Sequence, residues 1–121
     1  MSLENFPDFF LNFSVSEMKG EEQPFYQFKS FRLNVLERQL LNDGVLVPLA
    51  PKAFDVLVAL AERNGHLVEK DELLRLVWAD SFVEEANVSR IIYTLRRSLG
   101  EDENGNKFIE TLPKKGYRFV A

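Results

Sequence analysis

Residues 84–119 read EEANVSRIIYTLRRSLGEDENGNKFIETLPKKGYRF, and this stretch decides the fold. Apolar residues recur in its first part at the spacing of a helix, and Gly100 then ends the pattern. After a polar loop, two short runs of β-type residues flank PKKG at 113–116, a sequence typical of a tight turn. The predicted elements are a helix over 84–99 and a terminal hairpin with strands over 108–112 and 117–121.

A helical wheel gives the predicted helix two opposite faces. The apolar face consists of Val88, Ile92, Leu95 and Leu99. The opposite face carries Ala86, Arg90, Tyr93 and Arg97, with Thr94 beside them and Arg96 on one flank. No acidic residue occurs between positions 86 and 99. A helix of this kind suits the major groove of DNA, where arginine can donate two hydrogen bonds to guanine or to phosphate.

The turn of the predicted hairpin carries two adjacent lysines, Lys114 and Lys115. Gly116 follows them, and we expect it to take the positive φ that a tight turn requires. Lysines at a hairpin tip can contact backbone phosphates or enter a minor groove. The residues expected to bind DNA are Asn87, Arg90, Tyr93, Thr94, Arg96, Arg97, Lys114 and Lys115.

The chain before this stretch predicts a small sheet followed by two helices. β-type residues at 25–34, at 35–41 and at 45–49 indicate three or four antiparallel strands, and Asp43-Gly44 is a strong hairpin signal. The predicted helices cover 51–64 and 70–78. The first begins with a proline and is followed by Gly65. The fold class is therefore α+β, with an N-terminal antiparallel sheet, three helices and a C-terminal β-hairpin.

Charge is distributed unevenly along the chain, whose formal net charge is −4. Residues 1–24 hold five acidic residues and one basic residue, whereas residues 86–121 hold seven basic and four acidic residues. Local charge is what meets phosphate, so the total does not argue against a nucleic-acid partner. We predict an acidic, phenylalanine-containing extension and linker at 1–24, followed by one domain at 25–121.

Composition argues against several other classes of protein. The chain has no cysteine and a single histidine, His66, so it offers neither a thiolate nor a multi-histidine metal site. Adjacent acidic pairs such as Asp71-Glu72 point in different directions on a helix, which disfavours an acid–base dyad. We therefore expect that the protein is not an enzyme and binds neither a cofactor nor a metal. No apolar run approaches the roughly 18 residues of a membrane span, and we expect a cytoplasmic protein.

Residues 26–121 resemble the OmpR/PhoB-type winged-helix domain, also called the transcriptional regulatory protein C-terminal domain. The matching pieces are FRL at 31–33, LAPKAF at 49–54, DELL at 71–74, VW at 77–78, Val88 with LRRSLG at 95–100, and IETLPKKGYRF at 109–119. The PKKG wing is most similar to that of the one-component ToxR/CadC-like branch.

This resemblance implies a winged helix-turn-helix protein that regulates transcription in signal transduction, with the third helix in the major groove and the hairpin wing in the minor groove. Arg96 matches a position where the family usually has an arginine that contacts DNA, and Thr94 occupies another position that is often arginine. The resemblance also implies contact of the loop at 79–85 with RNA polymerase, and a homodimer on DNA. A native protein that continues past Ala121 into a membrane span and a sensor is a further implication.

A second function remains open from the sequence. The net charge and the acidic extension favour, to a small degree, a winged-helix module that binds proteins and has lost DNA binding. Continuous positive potential over the predicted helix and hairpin tip would support DNA binding, and a broken positive patch would support the protein-binding module.

Overall fold

A computed structural model of the protein describes residues 25–79, 83–101, 105 and 107–121. The predicted extension at 1–24 and part of the loop at 79–85 lie outside these residues. The elements are β1 (Phe25–Phe28), β2 (Phe31–Asn34), β3 (Gln39–Asn42), β4 (Val45–Val47), α1 (Pro51–Glu62), β5 (Leu67–Glu69), α2 (Lys70–Val77), α3 (Glu85–Leu99), β6 (Ile109–Leu112) and β7 (Gly116–Phe119). Two compact units divide between Pro48 and Leu49.

The first unit contains an antiparallel sheet in the order β1-β2-β3-β4. Its register pairs Phe28 with Phe31 and Leu33 with Leu40, and these four side chains are buried. Because side chains alternate across a strand, one face of the sheet collects them. The rings of Phe28 and Phe31 stack with their centroids 5.3 Å apart. The predicted N-terminal antiparallel sheet is confirmed, with four strands.

The turn between β3 and β4 agrees with the prediction, whereas the turn between β2 and β3 was not predicted. Asp43 and Gly44 have φ angles of 51° and 83°, as a two-residue type I′ hairpin requires. The run at 35–41, by contrast, is not one strand, because its first four residues form a turn. Asn34 Oδ1 accepts a hydrogen bond from the Glu37 amide at 2.9 Å, which closes the chain into that turn before β3 begins.

Helix α1 starts the second unit and carries much of its core. Pro51 occupies the first turn, and Ala50 at the N-cap makes no side-chain capping bond. The helix ends at Glu62 rather than at residue 64, and a turn follows. Gly65 in this turn has φ 85° and donates its amide to Phe119 O at 2.8 Å. The buried residues of α1 are Ala53, Phe54, Val56, Leu57, Ala59, Leu60 and Ala61.

Strand β5 was not predicted, and it changes the wing from a two-stranded hairpin into part of a three-stranded sheet. The order is β5-β7-β6, and Val68 of β5 lies opposite Tyr117 of β7. Both of these side chains are buried. β5 escaped prediction because three residues are too few to show a period, and their pairing partner lies far along the chain.

The prediction that Gly116 has a positive φ is wrong. The positive φ in the hairpin turn belongs to Lys114, at 65°, and not to Gly116. Glycine is needed at 116 for a different reason, since a Cβ atom there would lie 2.1 Å from Val68 O on β5. The absence of a side chain therefore allows β5 and β7 to approach each other.

Helix α3 packs by the face that the sequence predicted. Its buried side chains are Val88, Ile92, Leu95 and Leu99. α3 contacts α1, which in turn contacts α2 and β7. The buried residues on the wing strands include Ile109, Tyr117 and Phe119. The core of this unit therefore lies between the helices and one face of the three-stranded sheet, and the opposite face of α3 is left for solvent.

Candidate nucleic-acid interface

The solvent-facing side of α3 is rich in groups that can bind DNA. Four side chains on this side are exposed, those of Arg90, Tyr93, Thr94 and Arg97. Tyr93 is 60% exposed, although it stands next to Ile92, which is only 1% exposed. A large ring held in solvent beside arginines has little value for folding, so this side of α3 is suited to recognition.

Tyr93 and Arg97 form a pair on this side of the helix. They are four residues apart, which places their side chains next to each other. The Arg97 guanidinium carbon lies 5.9 Å from the centre of the Tyr93 ring, within the range of a cation–π contact. This contact orients both side chains without using the hydrogen-bond donors of the arginine.

Arg90 and Thr94 form a second pair, one turn earlier. Thr94 Oγ1 donates to the carbonyl oxygen of Arg90 at 3.0 Å, so its proton is used within the helix while its methyl group remains available. Arg90 has an exposed guanidinium that makes no ion pair with any residue the structure describes. Asn87 lies half-buried in the first turn of α3, and its backbone amide donates to Glu84 O at 2.9 Å.

Arg96 differs from its neighbours because it faces the wing. Its Nε donates to Ile109 O at 3.1 Å, and its Nη2 donates to Thr111 Oγ1. The residue is half-buried, consistent with its predicted position on the flank of the helix. Arg96 therefore connects α3 to strand β6. This contact joins residues far apart in sequence, and no local pattern indicated it.

The tip of the wing presents two lysines on a constrained turn. Lys115 donates its amide to Leu112 O at 2.9 Å, and Pro113 with the positive φ of Lys114 completes a turn of type II. Lys114 and Lys115 are both exposed. The carbonyl oxygen of Lys115 accepts a hydrogen bond from the Lys70 amide at 3.2 Å, which ties the turn to the start of α2.

Two nearby carboxylates are occupied by other cations. Glu85 Oε1 lies 3.2 Å from Lys70 Nζ, and Glu110 pairs with Arg118 across the β6–β7 ladder. In the second unit, over the ranges that the structure describes, these pairs leave the charges of Arg90, Arg97, Lys114 and Lys115 without a carboxylate partner. The exposed side of α3 and the tip of the wing are thus both cationic.

Other kinds of site find no support in the described ranges. No group of three or more histidine, aspartate or glutamate side chains in them is placed to hold a metal ion. None of their helices has the length and apolar character needed to cross a membrane.

Sequence comparison shows to which family the chain is similar. The profile of the family "Transcriptional regulatory protein, C terminal" matches residues 44–119. The transcriptional regulator HilA of Salmonella typhimurium is 44% identical over 94 residues, which are 78% of this chain and 17% of HilA. The transcriptional activator CadC of Escherichia coli is 32% identical over 101 residues, which are 83% of this chain and 20% of CadC. The chain thus spans a small part of the length of these relatives.

Solved structures agree with this result. The DNA-binding domain of E. coli CadC superposes with a TM-score of 0.73 at 32% identity, covering 83% of this chain and 94% of that domain. The DNA-binding domain of Klebsiella pneumoniae RstA, solved in complex with the RstA box, gives a TM-score of 0.69 at 28% identity, covering 79% of this chain and 96% of that one. The chain therefore belongs to the transcriptional regulatory protein C-terminal family, and its fold is the OmpR/PhoB-type winged helix.

Proposed function

We propose that residues 25–121 are the DNA-binding domain of a transcriptional regulator. In this proposal α3 enters the major groove of duplex DNA and the wing reaches the adjacent minor groove. The observation that carries it is the division of α3 into a buried apolar stripe and an opposite, solvent-facing side with two arginines that have no carboxylate partner among the described residues. The names of HilA, CadC and the RstA complex support the same function.

Helix α3 supplies the groups for reading sequence. Arg90 and Arg97 can each donate two hydrogen bonds to guanine or bind a phosphate. The Tyr93 hydroxyl can reach a phosphate or a base edge, and the Thr94 methyl group can contact a thymine methyl. Asn87, in the first turn, carries an amide of the type that pairs with adenine. We assign base reading to this set.

The wing supplies contacts that do not depend on sequence. Lysine binds phosphate as a point charge, so Lys114 and Lys115 add affinity and fix orientation. Arg96 lies between α3 and the wing and keeps donors beyond the two that β6 uses, since a guanidinium has five N–H groups. The direct contact of Arg96 with DNA that the sequence predicted thus stays a prediction.

Similarity to its relatives suggests further partners and segments for this protein, which we state as proposals. We propose that the loop at 79–85 contacts RNA polymerase. Lys52 Nζ on α1 donates to Val77 O at 2.9 Å and lies 5.9 Å from the centre of the Trp78 ring. These contacts fix the C-terminal end of α2, where the loop begins. We also propose a homodimer on DNA, and a longer protein with a membrane span and a sensor, since HilA and CadC are much longer than this chain.

We propose that the protein acts by binding alone, without catalysis or a cofactor. Its curated relatives are bacterial regulators, and bacterial chromosomal DNA lies in the cytoplasm. We therefore place the protein in the cytoplasm.

The test is selection of bound duplexes from a random DNA pool at low salt. We expect enrichment of a defined sequence, and weaker retention of it by Arg90→Ala and Arg97→Ala. Ser30, an exposed residue of the first unit, provides a control substitution to alanine that should retain the same duplexes. Failure to retain any duplex at low salt would overturn the proposal and favour the protein-binding module.

A further inference from the structure

The geometry points to Arg96 as a positioning residue that holds the wing at a fixed place relative to α3. The role rests on the proposed function, because it concerns how two DNA-binding elements are kept in register. It differs from the role that the family resemblance implies for this position, which is direct contact with DNA.

The contact itself matches the shape of a guanidinium. Nε donates to the Ile109 carbonyl oxygen at 3.1 Å and Nη2 donates to the Thr111 hydroxyl. Ile109 provides a backbone carbonyl and Thr111, two residues further along β6, a side-chain hydroxyl, so both acceptors lie close together on one strand. Arginine presents its donors as a rigid planar fork, which can engage both acceptors at once, whereas lysine has a single nitrogen.

The contact also lies where the wing needs support. Among the residues that the structure describes, β6 is an edge strand of the three-stranded sheet and pairs only with β7. Arg96 holds β6 from the side of α3, and Thr111 is three positions before Lys114. The other arm of the hairpin is held through the bond from the Lys70 amide to Lys115 O, at 3.2 Å. Together these contacts tie both arms of the wing tip to helices.

The expected consequence is coupling between Arg96 and the wing lysines. Without the guanidinium, the two hydrogen bonds between α3 and β6 are lost. Lys114 and Lys115 then become ordered only when DNA binds. That ordering costs conformational entropy and lowers affinity. Arg96→Lys keeps the charge but loses the fork, so it should behave more like Arg96→Ala than like the wild type.

A double-mutant cycle tests this coupling. We expect Arg96→Ala to weaken binding to the selected duplex by about tenfold in the wild-type background, and by less than about twofold when Lys114 and Lys115 are already alanine. Thr111→Val removes one acceptor without touching any arginine, and we expect it to reproduce part of the loss. An equal effect of Arg96→Ala in both backgrounds, with no effect of Thr111→Val, would assign Arg96 to direct DNA contact and overturn the inference.

A second measurement needs no DNA. We expect faster amide hydrogen exchange at 114–116 in Arg96→Lys and in Thr111→Val than in the wild type. Arg97→Lys is the matched control, because Arg97 is the adjacent arginine and lies on the side of α3 that carries Tyr93, and it should leave this exchange unchanged. Unchanged exchange in both test variants would refute the inference. If the protein retained no duplex, the proposed function would fail while this measurement still decided the role of Arg96.

Discussion

Lys114 combines a backbone conformation that disfavours lysine with a side chain suited to phosphate. Its φ of 65° is in the left-handed region, which costs an L-residue about 1–2 kcal/mol relative to glycine. Strain of this kind often persists where function requires a particular side chain. A turn selected for stability alone would have glycine at this position.

Lys114→Gly should therefore separate stability from binding. We predict a gain of up to about 1 kcal/mol in the free energy of unfolding, and a loss of DNA affinity as one phosphate contact disappears. Lys115→Gly is the matched control, since it removes the same charge at a residue without a positive φ. Urea denaturation and DNA titration of both variants check this. Equal stability changes in the two variants would contradict the account of the turn.

Gly116 is required by close packing rather than by its φ. We predict that Gly116→Ala lowers the free energy of unfolding by about 3 kcal/mol or more, because the new methyl group would overlap Val68 O on β5. Gly65→Ala is the control, since Gly65 has φ 85° but a Cβ atom there would meet nothing within 4 Å. We expect this control to cost about 1–2 kcal/mol. Urea denaturation measures both, and a smaller loss for Gly116→Ala than for Gly65→Ala would refute this explanation.

At the scale of the element, α3 separates folding from recognition by face. Leu95 is fully buried, and Leu95→Ala should cost about 2–5 kcal/mol of stability. Arg97→Ala, two residues away on the opposite face, should change stability by less than about 0.5 kcal/mol but weaken DNA binding by about 1–3 kcal/mol. Denaturation and DNA titration of the two variants provide the check. Loss of binding without loss of stability in Leu95→Ala would contradict the division.

Elements with a local signal could be predicted from the sequence, and elements defined by distant partners could not. The apolar spacing along α3 and the Asp43-Gly44 turn depend on neighbouring residues, and both match the structure. Strand β5 exists because it pairs with β7, and three residues alone carry no period. The turn after Asn34 was missed because Val35 and Leu36 resemble strand residues, while the amide bond that closes the turn comes from one asparagine oxygen.

The candidate site shows the same division. The solvent-facing side of α3 and the lysines of the wing follow from helical spacing and turn chemistry, so the sequence sufficed to propose them. The bonds of Arg96 to β6 could not be predicted, because they depend on where the wing lies against the helix. The constraint on Gly116 was missed for the same reason, since it comes from β5.

At the scale of the whole molecule, the arrangement of charge matters more than its sum. The chain carries a formal net charge of −4, yet residues 86–121 hold three more basic than acidic residues. Glu85 and Glu110 are paired with Lys70 and Arg118, respectively. An acidic protein can therefore present a cationic surface to DNA.

The most direct test of DNA recognition is the affinity for the selected duplex, measured by fluorescence anisotropy over a series of salt concentrations. We predict tight binding at low salt and a steep fall with salt. Replacing both Lys114 and Lys115 by alanine should reduce the slope of log affinity against log salt by about 2, because two phosphate contacts disappear. Absence of binding at low salt, or an affinity independent of salt, would contradict the account.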